Sequence, residues 1–205
     1  MSKPGGKAFR WRAVTACLLL GPALGIAFLS PPIVQEGSWA DMVLDALAWA
    51  TFLCAAILRF WATLYIGGRK GHTVVAEGPY SLCRHPLYVG TFLLALSAAL
   101  FLDSPTFLVG VLVLAGFYTA FTIPAEERHL LAEFGEDYRS YCRRTSRLIP
   151  FLKGRLHSEA HIEVKLGALW IEMKRGFLWL LLPAICEILS TFRSKPWWPH
   201  PFNLP

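Results

Sequence analysis

The stretch EGPYSLCRHPLYVG, residues 77–90, places a turn, a basic pair and a helix start directly before an apolar run. Gly78 begins a Gly-Pro turn, and Pro86 suits the first position of a helix because its missing N–H would have no partner there. The free N–H groups of that helix, and the positive end of its dipole, then lie beside Arg84 and His85. The stretch therefore predicts an anion-binding site at the end of an apolar helix.

The composition is typical of a membrane protein. Of the 205 residues, 55% are hydrophobic and only 17% are charged, and the mean hydropathy is +0.44. Soluble domains carry about 25% charged residues. The net charge is +6, but the basic residues stand at the ends of apolar runs, which argues against nucleic-acid binding. The five cysteines are scattered without a CxxC pair, so neither a disulfide framework nor a zinc ribbon is predicted.

Four apolar runs have about the length that crosses a bilayer. A secretory signal peptide is the alternative for the first run, but the length of this run favours a retained anchor. Asp103, Ser104 and Pro105 form a turn between the last two runs, and so short a connection predicts an antiparallel helical hairpin. The runs are residues 13–29, 42–66, 87–102 and 106–123.

A basic residue, Arg59, interrupts the second run. We expect its side chain to extend toward the nearer interface, because a long basic side chain can bury its stem and keep its charge in water. The alternative is a pocket residue that faces an anionic group.

Lysine and arginine are unevenly distributed over the two ends of these runs. Residues 1–12, 67–86 and 128–155 carry four, three and seven of them, whereas residues 30–41 and 103–105 carry none. The positive-inside rule therefore predicts a cytosolic amino terminus and a cytosolic 77–90 stretch, in a bacterial inner membrane or, in a eukaryote, the endoplasmic reticulum.

Two further helices are predicted after the fourth run. Apolar residues recur at helical spacing over residues 130–141, which predicts an amphipathic surface helix with Gly135 as its kink position. Residues 165–192 are also predicted to be helical, and Pro183 and Glu187 favour an interfacial helix over a membrane-spanning one. The predicted fold is all-α: a polytopic membrane protein with about four transmembrane helices, a cytosolic amphipathic helix and a C-terminal interfacial or membrane helix.

Acidic and basic side chains are predicted to meet at the cytosolic end of the bundle. The hairpin returns Glu126 and Glu127 to the neighbourhood of Arg84 and His85. An anionic group would bind the basic pair, and a positive centre would bind a glutamate or an aromatic face. Tyr80 and Tyr88 can provide this aromatic face. S-adenosylmethionine (SAM) has a carboxylate, a positive centre and an aromatic base, although a lipid phosphate also fits these residues.

Taken singly, each of these residues has a structural explanation. An arginine before a membrane span follows from topology, His85 suits a helix cap, and the two glutamates favour the start of an amphipathic helix. The order and spacing of the residues carry more weight than any one of them.

The motifs GPYSLCRHPLYVG and EERHLLAEFGEDYRSYCRRTSRLIP, on either side of the apolar hairpin, resemble the isoprenylcysteine carboxyl methyltransferase family. The wider clan of small membrane methyltransferases includes the phospholipid N-methyltransferases. The family pattern reads RHPxYxG, then EExxL, then FGxxYxxY and a basic stretch that ends in a hydrophobic residue and proline. The residues that match it are Arg84, His85, Pro86, Tyr88, Gly90, Glu126, Glu127, Leu130, Phe134, Gly135, Tyr138, Tyr141, Ile149 and Pro150.

This resemblance implies a SAM-dependent methyltransferase with its cofactor at the cytosolic face of the membrane. It implies that His85, Tyr88 and Gly90 line the cofactor pocket and that Glu126 and Glu127 complete it. Arg84 and Arg144 are further candidates for binding a carboxylate of the cofactor or the acceptor. The acceptor would be lipid-like and reach the site from the bilayer: a prenylcysteine carboxylate, a phospholipid amine or a small thiol. An amine or hydroxyl would need a base, and Glu127 is the candidate.

The resemblance extends over residues 77–154, within a methyltransferase domain of residues 1–155, and leaves 156–205 as an extension. His157 and His161 in the extension are four residues apart, but the order HExxH is absent and no metal site is predicted. A membrane reductase of similar fold is an alternative, although no GxGxxG follows a strand. A non-catalytic membrane scaffold or carrier is another.

Overall fold

The computed structural model describes residues 5–67, 73–149 and 166–201. Over these residues the regular secondary structure is helical, apart from one parallel bridge between Cys83 and Ser146. The helices are α1 Gly5–Phe28, α2 Trp39–Ile66, α3 Pro79–Leu82, α4 Pro86–Phe101, α5 Pro105–Phe117, α6 Ile123–Arg144 and α7 Leu166–Arg193, with a π-helical turn at Tyr118–Thr122. The predicted all-α fold is confirmed.

Five apolar helices form the membrane bundle in the described part of the chain. Three stretches are long and apolar enough to cross a membrane, and α1 and α4 contribute shorter apolar helices, Val14–Phe28 and Pro86–Phe101. The core is rich in alanine, as in Ala48, Ala98 and Ala99, and such small side chains allow helices to approach closely. The three long stretches are Trp39–Ile66, Pro105–Arg144 and Leu169–Arg193.

The predicted helical hairpin consists of α4 and α5. Ser104 caps α5, where its hydroxyl accepts a hydrogen bond of 3.3 Å from the backbone N–H of Phe107. The carboxylate of Asp103 accepts a hydrogen bond of 2.5 Å from the backbone N–H of Val34, in the loop between α1 and α2. The turn is therefore fixed both to its own helix and to the neighbouring loop.

A π-helical turn joins α5 to α6. The turn ends at Thr122, two residues before Pro124. Proline has no backbone N–H to donate to the preceding turn, and in a regular α-helix its ring clashes with that turn. A π turn inserts about one residue, and so rotates the following helix by roughly 100° relative to α5. This rotation sets the direction in which the Glu126 and Glu127 side chains leave α6.

The amphipathic helix α6 bends at the predicted glycine. Gly135 has φ 57° and ψ −124°, a backbone conformation that favours glycine. Beyond the bend Tyr138 and Tyr141 are both buried, and the Tyr141 hydroxyl donates a hydrogen bond of 2.7 Å to the backbone carbonyl of Tyr80. The bend thus directs the second half of α6 onto the 77–90 stretch.

The C-terminal helix α7 runs the full length of the bundle. Near its start Glu172 contacts Arg59 of α2, and at its end the buried Arg193 donates a hydrogen bond of 2.9 Å to the carbonyl of Ser30. Trp198 then donates one of 2.9 Å to the carbonyl of Phe28. The expected interfacial placement is therefore corrected, because α7 lies beside the other apolar helices and has the length and composition of a membrane span.

Arg59 does not extend to the interface as expected. Its side chain is 14% exposed and forms an ion pair of 3.0 Å with Glu172, whose side chain is 6% exposed. The alternative interpretation, in which Arg59 faces an anionic group, describes its position better, and the anion is a side chain of α7.

Candidate functional site

The 77–90 stretch is held in place by Tyr65 of α2 and by residues 146–147. Gly78 has φ 55°, and a side chain there would collide with the ring of Tyr65, so the turn requires glycine. After the single turn of α3 the chain is extended and lies against residues 146–147. The backbone N–H groups of Arg84 and His85 donate hydrogen bonds of 2.8 and 3.2 Å to the carbonyls of Ser146 and Arg147. This pairing brings Arg84, His85 and Arg147 to one place.

Glu127 binds all three of these basic residues. Its Oε1 accepts hydrogen bonds of 2.7 Å from Arg84 Nη1 and 3.3 Å from Arg147 Nε, and lies 3.2 Å from His85 Nε2. Its Oε2 accepts one of 2.7 Å from Arg147 Nη2. Both carboxylate oxygens are therefore occupied. The donors come from two separate segments of the chain, residues 84–85 and Arg147.

These partners keep Glu127 ionised. Glu127 lies in the helical stretch Pro105–Arg144, but beyond the apolar run of that stretch, which ends at Ile123. Burial by itself raises the pKa of the Glu127 carboxyl, but the hydrogen bonds from His85 and Arg147 and the charges of Arg84 and Arg147 outweigh burial and lower the pKa to about 2. A carboxylate so stabilised is a poor general base, so its contacts favour a role in holding the basic side chains, and the catalytic role of Glu127 stays a prediction.

Glu126 lies on the neighbouring face of α6 and contacts α4. The hydroxyl of Tyr88 donates a hydrogen bond of 2.7 Å to Glu126 Oε2. The ring of Tyr88 packs edge-on against His85 at 5.7 Å between centroids and against Tyr118 of the π turn at 6.0 Å. The π turn therefore helps to fix the tyrosine that holds Glu126.

A cavity of about 750 Å³, including its open mouth, lies beside these residues. Most of its wall is apolar, including Leu87, Leu130 and Phe134. The polar residues of the lining include Tyr80, Arg84, His85, Tyr88, Glu126 and Tyr138.

Three buried polar atoms at this cavity lack a protein partner. The hydroxyls of Tyr80 and Tyr138 and the Nε of Arg84 have no hydrogen-bond partner among the residues that the structure describes. Burial raises the pKa of Tyr80 far above its ordinary value, so its hydroxyl remains a neutral donor. Because buried polar groups almost always find partners, these atoms fit a polar ligand in the cavity.

The residues fit S-adenosylmethionine on these grounds. Arg84 can donate to a carboxylate, the tyrosine hydroxyls can donate to the hydroxyls or ring nitrogens of an adenosyl group, and the apolar wall suits a base. Covalent catalysis by Cys83 does not fit, because burial raises the pKa of its thiol to about 11 and keeps it protonated. No cluster of metal-ligating side chains occurs within the described ranges, and His157 and His161 lie outside them.

The predicted site residues fall into three groups. Tyr80, Arg84, His85, Tyr88 and Glu126 line the cavity. Glu127 does not line the cavity, but it contacts two side chains that do, Arg84 and His85.

The third group does not reach the cavity. Gly90 faces Arg59 of α2, where a side chain would collide with the arginine. Arg144 is exposed, and its Nε donates to the carbonyl of Ser140 in its own helix. The prediction missed Arg147 and Tyr138, although both belong to the matched motif region.

Comparison with known proteins agrees with the motif order. A model of the isoprenylcysteine carboxyl methyltransferase (ICMT) family matches residues 42–132. The chain is 29% identical to the nickel-cobalt-cadmium resistance protein NccN of Alcaligenes xylosoxydans xylosoxydans over 95% of its own length and 88% of that protein. No solved structure matches the chain.

Two further relatives are covered only in part. The chain is 40% identical to the cobalt-zinc-cadmium resistance protein CzcN of Cupriavidus metallidurans, over 69% of this chain and 62% of that protein. It is 37% identical to the protein-S-isoprenylcysteine O-methyltransferase of Xenopus laevis, over 60% of this chain and 45% of that enzyme.

The helical membrane bundle, the cavity and these matches define an integral-membrane methyltransferase. Over residues 42–132 the chain is similar to the isoprenylcysteine carboxyl methyltransferase family, whose methyltransferases use S-adenosylmethionine as the methyl donor.

Proposed function

We propose that this chain transfers the methyl group of S-adenosylmethionine to an ionised nucleophile, a carboxylate or thiolate, on a lipid-like acceptor at the cytosolic membrane surface. The observation that carries the proposal is the cavity itself. Its polar lining comes from α3, α4 and α6 and the segment between α3 and α4, and its buried Tyr80 and Tyr138 hydroxyls have no partner in the described part of the chain.

The chain's own side chains divide the work of binding. Arg84 has one donor group on Glu127 and an unpartnered Nε, so it can hold an anion without giving up its ion pair. Glu126 provides negative charge on the opposite, α6 side of the cavity, where a sulfonium would be stabilised. The bound cofactor supplies an activated methyl group, and methyl transfer then depends chiefly on in-line positioning of the nucleophile.

The charge state of the site favours acceptors that need no base. Glu127 is committed to three basic side chains, and Glu126 accepts a hydrogen bond from Tyr88. An amine acceptor would require a group that removes a proton near the cavity. A carboxylate arrives ionised at neutral pH, whereas a thiol, with a pKa of about 8.5, first releases its proton to solvent. The S-prenylcysteine carboxylate that gives several relatives their name is therefore our first candidate acceptor.

Topology supports the cytosolic placement. The cavity lies at the end of the bundle where residues 67–86 and 128–155 carry three and seven lysines and arginines. Loops 30–41 and 103–105 at the other end carry none. By the positive-inside rule the cavity faces the cytosol, within reach of cytosolic S-adenosylmethionine.

A labelled-methyl transfer assay tests the proposal. Purified protein in detergent is given S-adenosylmethionine labelled in its methyl group, with an S-prenylcysteine, the carboxamide analogue of that S-prenylcysteine, a long-chain thiol or phosphatidylethanolamine. We expect label in the S-prenylcysteine or the thiol and none in the carboxamide or the phospholipid. Exclusive labelling of the phospholipid amine would contradict the choice of an ionised nucleophile.

A further inference from the structure

Arg59 connects three helices inside the bundle. Its Nη2 donates a hydrogen bond of 3.0 Å to Glu172 of α7. Its Nη1 donates one of 3.3 Å to the backbone carbonyl of Leu87 and one of 2.5 Å to the hydroxyl of Thr91, both on α4. One guanidinium on α2 therefore ties α7 to the first turns of α4.

The protein makes room for this side chain. A side chain at position 90 would overlap Arg59 Cγ, so the close passage of Arg59 along α4 requires Gly90. On its other side the guanidinium lies over the ring of Trp179, 4.5 Å from the centroid, which is cation–π geometry. The slot is built jointly by α4 and α7.

Glu172 is what allows a charged arginine to remain at this depth. An unpaired charge in a low-dielectric environment is strongly disfavoured, whereas an ion pair with several hydrogen bonds is tolerated. Glu172 also accepts a hydrogen bond of 3.3 Å from Arg175, but that arginine has 53% of its side chain exposed and lies on the same helix. Among the residues that the structure describes, the contact with Arg59 is the one that joins α7 to the bundle through this carboxylate.

The contact with α4 falls beside the cavity. Leu87, whose carbonyl Arg59 binds, lines the cavity, and the next residue, Tyr88, lines it and holds Glu126. His85 and Pro86 precede them at the start of α4. A shift of this first turn would move side chains that line the cavity on their α4 side.

We infer that Arg59 and Glu172 are positioning residues, through which α7 fixes the first turn of α4 and the cofactor-binding side chains on it. The inference rests on the proposed binding of S-adenosylmethionine in the cavity. It assigns a role to the C-terminal helix, which lies outside the residues that match the family model. Neither residue touches the cavity, and both act through α4.

Two variants separate positioning from folding. Glu172→Gln removes the carboxylate and leaves Arg59 charged, so it combines a positioning defect with an unpaired charge. The double variant Arg59→Leu with Glu172→Leu removes both charges, and replacing a buried ion pair by apolar residues commonly preserves folding. The matched control is Arg175→Gln, which removes the exposed partner of Glu172.

Binding of S-adenosylmethionine is measured by titration calorimetry, and hydrogen exchange is measured on the cofactor-free protein. We expect the double variant to keep its unfolding temperature, to exchange the amides of residues 87–91 faster, and to bind the cofactor about tenfold more weakly. Arg175→Gln should match the wild type in both measurements. A stably folded double variant with wild-type affinity and exchange would overturn the positioning role. Absence of binding by the wild type would instead overturn the proposed function, and the exchange of residues 87–91 would still test the coupling of α7 to α4.

Discussion

Arg147 and Glu127 form a two-point ion pair, with Arg147 Nη2 2.7 Å from Glu127 Oε2 and Arg147 Nε 3.3 Å from Oε1. The glutamate side chain is 12% exposed and the arginine side chain 43% exposed, so the arginine closes the site toward solvent. Arg147 comes from the segment after α6, and the same segment pairs with the backbone of Arg84 and His85. The pair therefore links the basic motif before α4 to the chain that follows α6.

We predict that Arg147→Lys weakens S-adenosylmethionine binding, because an ammonium cannot reproduce the two-point contact with Glu127. A loss of about 1–2 kcal/mol is expected, since a hydrogen bond to a charged group contributes about that much. The measurement is titration calorimetry in detergent. Arg144→Lys is the control, because that side chain is exposed and donates a hydrogen bond within its own helix. Equal losses in the two variants would show that the paired geometry is irrelevant.

Replacing Glu127 should disturb both Arg84 and His85. Glu127→Gln removes the charge that these buried basic groups share, so we expect cofactor binding to fall by more than tenfold, with a lower unfolding temperature. Calorimetry and thermal unfolding measured side by side check this. Glu133→Gln, which removes an exposed glutamate on the same helix, should change neither value. Full binding by Glu127→Gln would contradict the role of this carboxylate as the organiser of the basic pair.

Replacing Tyr138 is predicted to affect protein stability and cofactor binding differently. Tyr138→Phe removes a buried hydroxyl without a partner in the described residues, so the cofactor-free protein should be equally or more stable. Cofactor binding should weaken by about 0.5–1.5 kcal/mol, the contribution of an ordinary hydrogen bond. Tyr141→Phe is the matched contrast.

Tyr141→Phe should act in the opposite sense. Its hydroxyl already donates to the carbonyl of Tyr80 at 2.7 Å, so its removal is expected to lower the free energy of unfolding by about 1 kcal/mol. Thermal unfolding and calorimetry on both tyrosine variants, without and with S-adenosylmethionine, distinguish the two roles. A destabilised Tyr138→Phe with unchanged affinity would refute the assignment of its hydroxyl to a ligand.

Gly90 is predicted to matter for packing rather than for contact with the cofactor. Gly90→Ala places a methyl group against Arg59 Cγ, so we expect a loss of about 1–3 kcal/mol in the free energy of unfolding. Gly116→Ala is the matched control, because no atom lies within 4 Å of the added carbon. Thermal unfolding in detergent without cofactor measures both, and a neutral Gly90→Ala would contradict the close approach of Arg59 to α4.

The sequence predicted the hairpin, the kink and five of the polar residues that line the cavity, because each depends on local signals. Asp103, Ser104 and Pro105 form a turn, Gly135 adopts a left-handed backbone, and Pro86 begins α4. The convergence of Arg84 and His85 on Glu127 followed from the short connection of the hairpin, which fixes which helix ends meet.

The other features of the fold and the site depend on contacts between segments far apart in the chain. The periodicity of the local sequence does not predict such contacts. Nothing in the local sequence of Arg59 and Glu172 shows that these charges, far apart in the chain, form an ion pair. The choice of Arg147 over Arg144 depends on the extended segment that ends α6, and this direction is set by the pairing with residues 83–85. The helix α7 continues through Pro183 as predicted, but Pro183 and Glu187 wrongly favoured an interfacial helix, because α7 has the length and composition of a membrane span.

The central claim is that S-adenosylmethionine binds in the cavity between α4 and α6, and equilibrium binding of labelled S-adenosylmethionine tests it most directly. Wild type, Arg84→Ala and Arg144→Ala are purified in the same detergent and compared at equal folded fraction. We predict saturable binding by wild type and Arg144→Ala, competed by S-adenosylhomocysteine, and at least a tenfold loss in Arg84→Ala. Failure of well-folded wild type to bind, or equal binding by all three proteins, would contradict it.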